Sequence, residues 1–533
     1  MMTRLRAAIT NRPAKYLPFL SAVIIGLSCW QYNLGFLVFV GLVPMVMYLQ
    51  KAEHDKKLRA RMIRTFWLAG LLHFMVVLFW MIQTNPITFS PVVGSTENLI
   101  KAIFFTLIVL FYSLSWLVLG FGFKKLRPFV GSKVRTVLVV VSLWVVLEFL
   151  RSYAYAIFLY DKSSSIGPHW NFGNLAFGAS STPLVFAGRI IGMYGLAVLV
   201  ILINFAVFWM MKKQYKAAAI LMSIVIFFVA AGCLGYKTNA PQKTVSVGYL
   251  HTNSLTTKDA YMQQLASDLD DTKDQQLYDV VVLPEHSAFF TSKNQELRRD
   301  IMQNMGHEKT VYITSDAEDP GPEGRINHLR IYNQKGEIVN EQTKNFLIPG
   351  GEYLTLWARV LLKAAGHGSL VDDFDRERAL TKGWIPHHAF KTESGISIGP
   401  LVCSGSISPQ LYQKLSGKDN PDILTNSASL GIFREATGYH EQVRQISRFH
   451  AVANNKPFVQ SSIDSYSYAI DQNGNFLSES KQVDTAKILS ANVSIQTKQT
   501  IYSKFGEVVL ELVTGTLLLL AVQKIISSRR KKP

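Results

Sequence analysis

"AAAILMSIVIFFVAAGCLGYKTNAPQKTVSVGYL", residues 217–250, changes character halfway along. Residues 217–236 form an apolar run without a single charge, long enough as a helix to cross about 30 Å of hydrocarbon. After a polar connection, "TVSVGYL" (244–250) alternates apolar with small or polar residues, as a half-buried strand does. A chain that passes from the first pattern to the second joins a membrane part to a water-facing part.

Six more apolar runs precede this one, at roughly 17–31, 33–50, 65–83, 99–123, 135–151 and 184–211, and an eighth covers 508–526. All read as spanning helices, with only short connections between the first two. The start "TRLRAAITNRPAK" (3–15) has the charge of a signal peptide, but no small-residue cleavage site precedes the second run, so the first is read as retained. Every second connection is basic: 1–16, "KAEHDKKLRARMIR" (51–64), "KKLRPFVGSKVR" (124–135), "KKQYK" (212–216) and the tail after 527. By contrast, "QYN" (31–33) and "TNPITFSPVVGSTENL" (84–99) contain no Lys or Arg. The positive-inside rule therefore predicts cytoplasmic termini, with 237–507 on the opposite face. The expected organisation is a transmembrane part at 1–236 with about seven helices, an extracytoplasmic domain at 237–507, a membrane helix at 508–527 and a basic cytoplasmic tail at 528–533.

The net charge of +18 follows the same division. Residues 236–503 carry 27 Lys+Arg and 30 Asp+Glu, a balance of −3, so the basic excess sits in the membrane part and no nucleic-acid partner is expected. Of three cysteines, Cys29 and Cys233 fall in apolar runs and Cys403 alone lies in the water-facing block. An internal disulfide is excluded there, and one cysteine cannot supply a four-ligand zinc cluster, so no metal is expected.

The block itself mixes strand-like segments ("YDVVVLPE", "TVYITSD", "HLRIYNQKGEIV", "GISIGPLVC", "DILTNSAS", "AKILSANVSI") with helical ones ("MQQLASDLDD", "NQELRRDIMQNM", "HEQVRQISRFHAVANN"). That alternation argues a layered α/β or α+β domain. Three strand ends carry reactive groups. In "VVVLPEHSAFF" (280–290) the acid Glu285 follows an apolar run; in "TKNFLIPGGEYL" (343–354) Lys344 and Glu352 flank a Pro-Gly-Gly turn; in "ISIGPLVCSGSISP" (396–409) Cys403 ends a strand. Taken singly, these residues read as well as a surface carboxylate, a solvated lysine and a packed thiol.

Together, in this order and context, Glu285, Lys344 and Cys403 resemble the Glu-Lys-Cys constellation of the nitrilase (carbon–nitrogen hydrolase) superfamily. Fusion to seven spans before and one after narrows the resemblance to the apolipoprotein N-acyltransferases. "KNFLIPGGEYL" is similar to that family's Lys-to-Tyr segment, and "EFLR" (148–151), "WNFGNLAFGASSTPL" (170–184), "GMYGLAVLVILIN" (192–204), "DILTNSASLGIF" (422–433) and "YAIDQNGNF" (468–476) resemble further segments. Two departures stand out. Ser404 and Gly405 follow the cysteine where the family has an aromatic and an acid, and residues 426–431, Asn-Ser-Ala-Ser-Leu-Gly, lack the acid and tryptophan of the corresponding loop.

The resemblance implies an αββα sandwich on a polytopic α-helical membrane domain, in a bacterial inner membrane with the catalytic domain on the periplasmic face. It also implies an acyl chain passed from a phospholipid, through a thioester on Cys403, to the amine of a diacylglyceryl-modified lipoprotein, without a cofactor. Glu285 would be the base and then the acid, while Lys344 and the backbone N–H of Ser404 would stabilise the oxyanion, with Glu352 in support. Three readings stay open: this acyltransferase, a nitrilase-type amidase or acyltransferase with another acceptor, and a non-catalytic membrane-anchored binding protein. "LTLWARVLLKAAGHG" (354–368) is expected to form an amphipathic arm whose Trp357 and Leu361 enter the lipid surface.

Overall fold

The structure, a computed structural model, describes residues 14–84, 95–236, 243–253, 262–263, 266–267, 277–287, 289–290, 294–317, 324–483 and 485–529. The basic N-terminal stretch, most of the 84–99 connection, most of the helical pattern at 262–271 and the end of the tail lie outside these residues.

Seven helical segments are long and apolar enough to cross a membrane: Tyr32–His54, Lys56–Val77, Glu97–Leu126, Lys133–Phe158, Pro183–Met211, Tyr215–Leu234 and Val508–Ile526. Within them or before them run α1 (Leu17–Trp30), α2 (Val43–His54), α3 (Lys56–Val77), α4 (Ser95–Leu126), α5 (Lys133–Phe158), α6 (Gly188–Met211) and α7 (Tyr215–Leu234). The apolar run nearest the N-terminus departs from expectation. α1 has 14 residues, about 21 Å at 1.5 Å per residue, short of the hydrocarbon thickness. The next span opens irregularly, through a 3-10 segment, Tyr32–Leu37, because its backbone is held from outside: Asn204 on α6 donates to Val38 O and accepts from Leu42 N, both at 2.8 Å. α6 is itself interrupted at Gly192, whose φ of +67° and close approach to Tyr502 and Glu507 leave no room for a Cβ. There the Glu507 carboxylate accepts from the N–H groups of Met193 and Tyr194 at 3.0 and 3.1 Å, capping the helix that restarts.

Beyond α7 the chain builds two six-stranded sheets. β1 (Thr244–Thr252), β2 (Tyr278–Glu285), β3 (Gly306–Ala317), β4 (Asn327–Asn333), β5 (Ile338–Thr343) and β12 (Lys487–Ser494) run in the order 12-1-2-3-4-5. β6 (Phe390–Lys391), β7 (Ser397–Val402), β8 (Ile423–Ser429), β9 (Phe458–Ile463), β10 (Ser467–Ile470) and β11 (Phe476–Ser480) run 6-7-8-9-10-11. Among the described residues the two halves are continuous at one edge through the parallel pairs His251↔Ser462 and Thr252↔Ile463. Neighbours β1, β2 and β3 are parallel, as are β7, β8 and β9, so each step needs a crossover. Helices α8 (Gln295–Met305), α11 (Pro409–Lys418) and α12 (Thr437–Asn454) supply three of these crossovers; α9 and α10 belong to the arm described below.

Alternation along the strands separates the faces. Val280, Val282, Ile313, Ile398, Ile423 and Val459 fill one continuous core between the sheets. Val281 and Leu283 turn outward onto Ile301, Met302 and Met305 of α8, and Leu401, Leu424 and Phe458 onto Tyr412 and Leu415 of α11. The result is the helix–sheet–sheet–helix sandwich expected.

The sandwich sits directly on the bundle through α12. Gln442 donates to Val77 O at 2.7 Å and Gln445 to Ser28 O at 3.1 Å, while Ser180 Oγ donates to Gln445 O at 2.7 Å. Arg189, fully buried, donates to Val452 O, Gly232 O, Gln472 O and Asn473 Oδ1 at 2.6–3.2 Å. One guanidinium thus ties helix α7, α12 and the β10–β11 turn together.

Candidate active site

Parallel strands end side by side, and the groups at their C-terminal ends converge. Glu285 is the last residue of β2, Cys403 follows β7, and Ser429 closes β8. Lys344 follows β5, its N–H bonded to Asn327 O at 2.9 Å. Lys344 Nζ donates to Glu285 Oε1 at 3.0 Å and to Glu352 Oε1 at 2.5 Å; Glu285 and Lys344 are each 1% exposed. The Pro349-Gly350-Gly351 turn, with Gly350 at φ +79°, folds the chain back so that Glu352 Oε2 accepts from Ile348 N–H at 2.9 Å.

Two residues that sequence reasoning did not assign to the site complete it. Asn327 Nδ2 donates to Glu285 Oε1 at 2.6 Å, and the N–H of Ser429 donates to Glu285 Oε2 at 3.0 Å. Both depend on sheet register, β4 beside β3 and β8 against β2, which no local pattern reveals.

Cys403 is 3% exposed and has φ +48°, a left-handed conformation costly for a residue with a Cβ. Its neighbours hold it there. The Cys403 carbonyl accepts from Ser406 Oγ at 2.9 Å and Asn426 Nδ2 at 3.4 Å, and Asn426 is itself fixed on Gln460 at 3.0 Å. Ser404 opens the 3-10 turn Cys403–Ile407, and its hydroxyl donates to Phe346 O. The first N–H groups of such a turn have no partner within it.

Charge is tightly balanced. Burial, the largest single influence, would raise the Glu285 carboxyl, but Lys344 and His286 together outweigh it and hold the group below the ordinary carboxylate value. For Lys344 burial works downward, yet Cys403, Glu285 and Glu352 carry the ammonium upward, so it stays charged. Glu352 is raised, by burial first. Burial also pushes the Cys403 thiol well up, Glu285 adds to the shift, and Lys344 only partly opposes it. The resting sulfur is a thiol that donates to Ser429 O at 3.7 Å, beside the Ser429 N–H from which Glu285 accepts, not a thiolate stabilised by lysine.

An apolar cavity of about 1330 Å³, counting its open mouth, adjoins this cluster. Trp80 and Phe104 come from the membrane helices, Ile348–Gly351 from the turn beside Glu352, and Ile407, Phe433 and Tyr439 from the cysteine side. Its outer wall is the arm, made of α9 (Leu356–Ala364) and α10 (Gly368–Glu377). Here the expected orientation of one residue is corrected. Trp357 faces inward, 5.0 Å from Phe158 and 5.2 Å from Phe104, while Leu356, Val360 and Leu361 are the exposed apolar side chains, 47–59% accessible.

The N-terminal domain of the apolipoprotein N-acyltransferases matches residues 21–206. The apolipoprotein N-acyltransferase of Rickettsia bellii is 22% identical over 405 residues, 72% of this chain and 76% of its own. That of Geobacter metallireducens is 20% identical over 513 residues, 92% and 91% of the two chains. Among solved structures, a carbon–nitrogen hydrolase from Helicobacter pylori G27 aligns at TM-score 0.35 and 17% identity, over 52% of this chain and 93% of that one. An amidase from Nesterenkonia sp. aligns at 0.34 and 13%, over 48% and 92%.

Proposed function

We propose that the chain is an apolipoprotein N-acyltransferase, a reading supported by the match over residues 21–206 and by its relatives, and that it moves an acyl chain from a phospholipid to the N-terminal amine of a diacylglyceryl-modified lipoprotein by way of Cys403. The observation that carries the reading is the junction of a buried Glu285–Lys344–Cys403 cluster with an apolar cavity opening between membrane helices. A soluble amidase has no use for such a cavity; an acyl tail of many methylenes, each worth about 0.8 kcal/mol when buried, does.

Glu285 takes the thiol proton as sulfur attacks the ester carbonyl, so charge separation never has to precede attack. Lys344 and the Ser404 N–H receive the oxyanion. On collapse, Glu285 returns the proton to the glycerol oxygen and lysophospholipid leaves an acyl thioester. The incoming α-amine then attacks that thioester, Glu285 accepts its proton, and the thiol is restored as the amide departs. Glu352 and Asn327 position Lys344 and Glu285 rather than touching substrate. Residues 237–507 act on the periplasmic face in this reading, as the basic connections imply.

The small rim formed by Ser404, Gly405 and 426–431 supports a second reading, transfer to a different amine acceptor. Incubation with alkyne-tagged phospholipid, offered a diacylglyceryl peptide or simple amines, tests both. The first reading requires tagged N-acyl peptide; tag on simple amines alone establishes the second.

A further inference from the structure

Tyr439, the third residue of α12, is 1% exposed and lines the apolar cavity on the cysteine side. Its ring is immobilised: Phe433 stacks on it at 4.0 Å and 9°, and Trp80 meets it edge-on at 4.9 Å. Among the described residues its hydroxyl makes no hydrogen bond. Buried tyrosines ordinarily place that group against an acceptor. Of the titratable groups that act on it, Cys403 and Tyr468 raise the phenol and Lys344 lowers it, all less than burial does. A rigid donor without an acceptor, on an apolar cavity wall shared with Ile407 of the cysteine turn and Gly351 beside Glu352, is the arrangement of a group waiting for substrate oxygen.

We infer that Tyr439 is a further catalytic residue, whose hydroxyl donates a hydrogen bond to the oxygen of the acyl group in transfer and completes the oxyanion site with Lys344 and the Ser404 N–H. The inference rests on the acyl-Cys403 reading above. Burial raises the phenol well beyond its ordinary value, so it keeps its proton through both half-reactions and changes no step of the proton balance.

Tyr439→Phe keeps the ring and its stacking while removing the donor. The full-length protein and this variant are incubated with phosphatidylethanolamine carrying a ¹³C-carbonyl acyl chain, acyl-Cys403 is measured by intact mass, and its carbonyl stretch by infrared difference. Expected in the variant are an adduct that still forms, acylation and aminolysis each slower by on the order of 10², and a carbonyl band displaced to higher frequency. Unchanged rates and band would overturn the role of Tyr439 while leaving the thioester reading intact. Absence of any adduct on the unaltered protein would overturn that reading, and the inference with it.

Discussion

Cys403, the proposed nucleophile, sits in a backbone conformation that costs about 1–3 kcal/mol. Asn426 and Ser406 hold it by its own carbonyl. Asn426→Ala should therefore slow acylation with little change in lipid affinity, a loss in kcat rather than KM. Lys344→Met removes an oxyanion donor and should cost on the order of 10²–10³ in both half-reactions; a loss confined to the first would make it a donor contact instead. The pH profile follows from the same charges. The proposed chemistry needs the Glu285 carboxylate, and Lys344 with His286 holds that group below its ordinary value. Activity should thus persist as pH falls past the usual carboxylate range and fade only in stronger acid. The same sign applies to stability: a depressed carboxyl contributes above its unfolded value and loses that contribution as pH falls through its folded one. In Lys344→Met the acid limb should move to higher pH, measured as residual acyl-Cys formation across a pH series.

At the scale of elements, the arm divides its two apolar sides between two tasks. Trp357 belongs to the cavity wall, and Leu356, Val360 and Leu361 face outward. Replacing Val360 and Leu361 with Ser should leave the melting temperature nearly unchanged, as exposed substitutions do. It should weaken acylation from vesicles but spare a short-chain soluble ester; equal loss with both donors would remove the membrane role. Trp357→Ala should impair both donors, because it opens the wall that grips the chain. The helical period in "LTLWARVLLKAAGHG" announced an amphipathic element but not which side meets the bundle, since that depends on Phe104 and Phe158, some 200 residues away in sequence. Strand ends were legible for the opposite reason: Glu285 and Cys403 each follow an apolar run that local pattern alone defines, and Lys344 stands with Glu352 around a Pro-Gly-Gly turn. Asn327 and Tyr439 were not, because their places are set by β-sheet register and by the packing of α12 on the bundle.

For the whole molecule, the cavity exists only where sandwich and bundle meet, so their docking is part of the site. Arg189 offers the clearest handle. Removing it takes a donor from two buried carbonyls, Val452 O and Gly232 O, and from the half-buried β10–β11 turn, at about 1–3 kcal/mol for each buried group left unsatisfied. Arg189→Met should lower the melting temperature in detergent and expose the β10–β11 turn to protease before the rest of the sandwich unfolds; uniform unfolding would mean the tie is not local. The apolar runs made the two-part architecture plain at once, yet the short α1 and the interrupted α6 were hidden, because hydropathy counts residues and does not see Asn204 or Glu507 bonding the backbone at the breaks.

The central claim is that phospholipid acylates Cys403. Intact mass spectrometry of the full-length protein after exposure to phosphatidylethanolamine vesicles, without acceptor, measures it directly. The account predicts one added acyl group, released by neutral hydroxylamine, transferred on addition of a diacylglyceryl peptide and absent from Cys403→Ala. Peptide acylation by Cys403→Ala at the unaltered rate would contradict it.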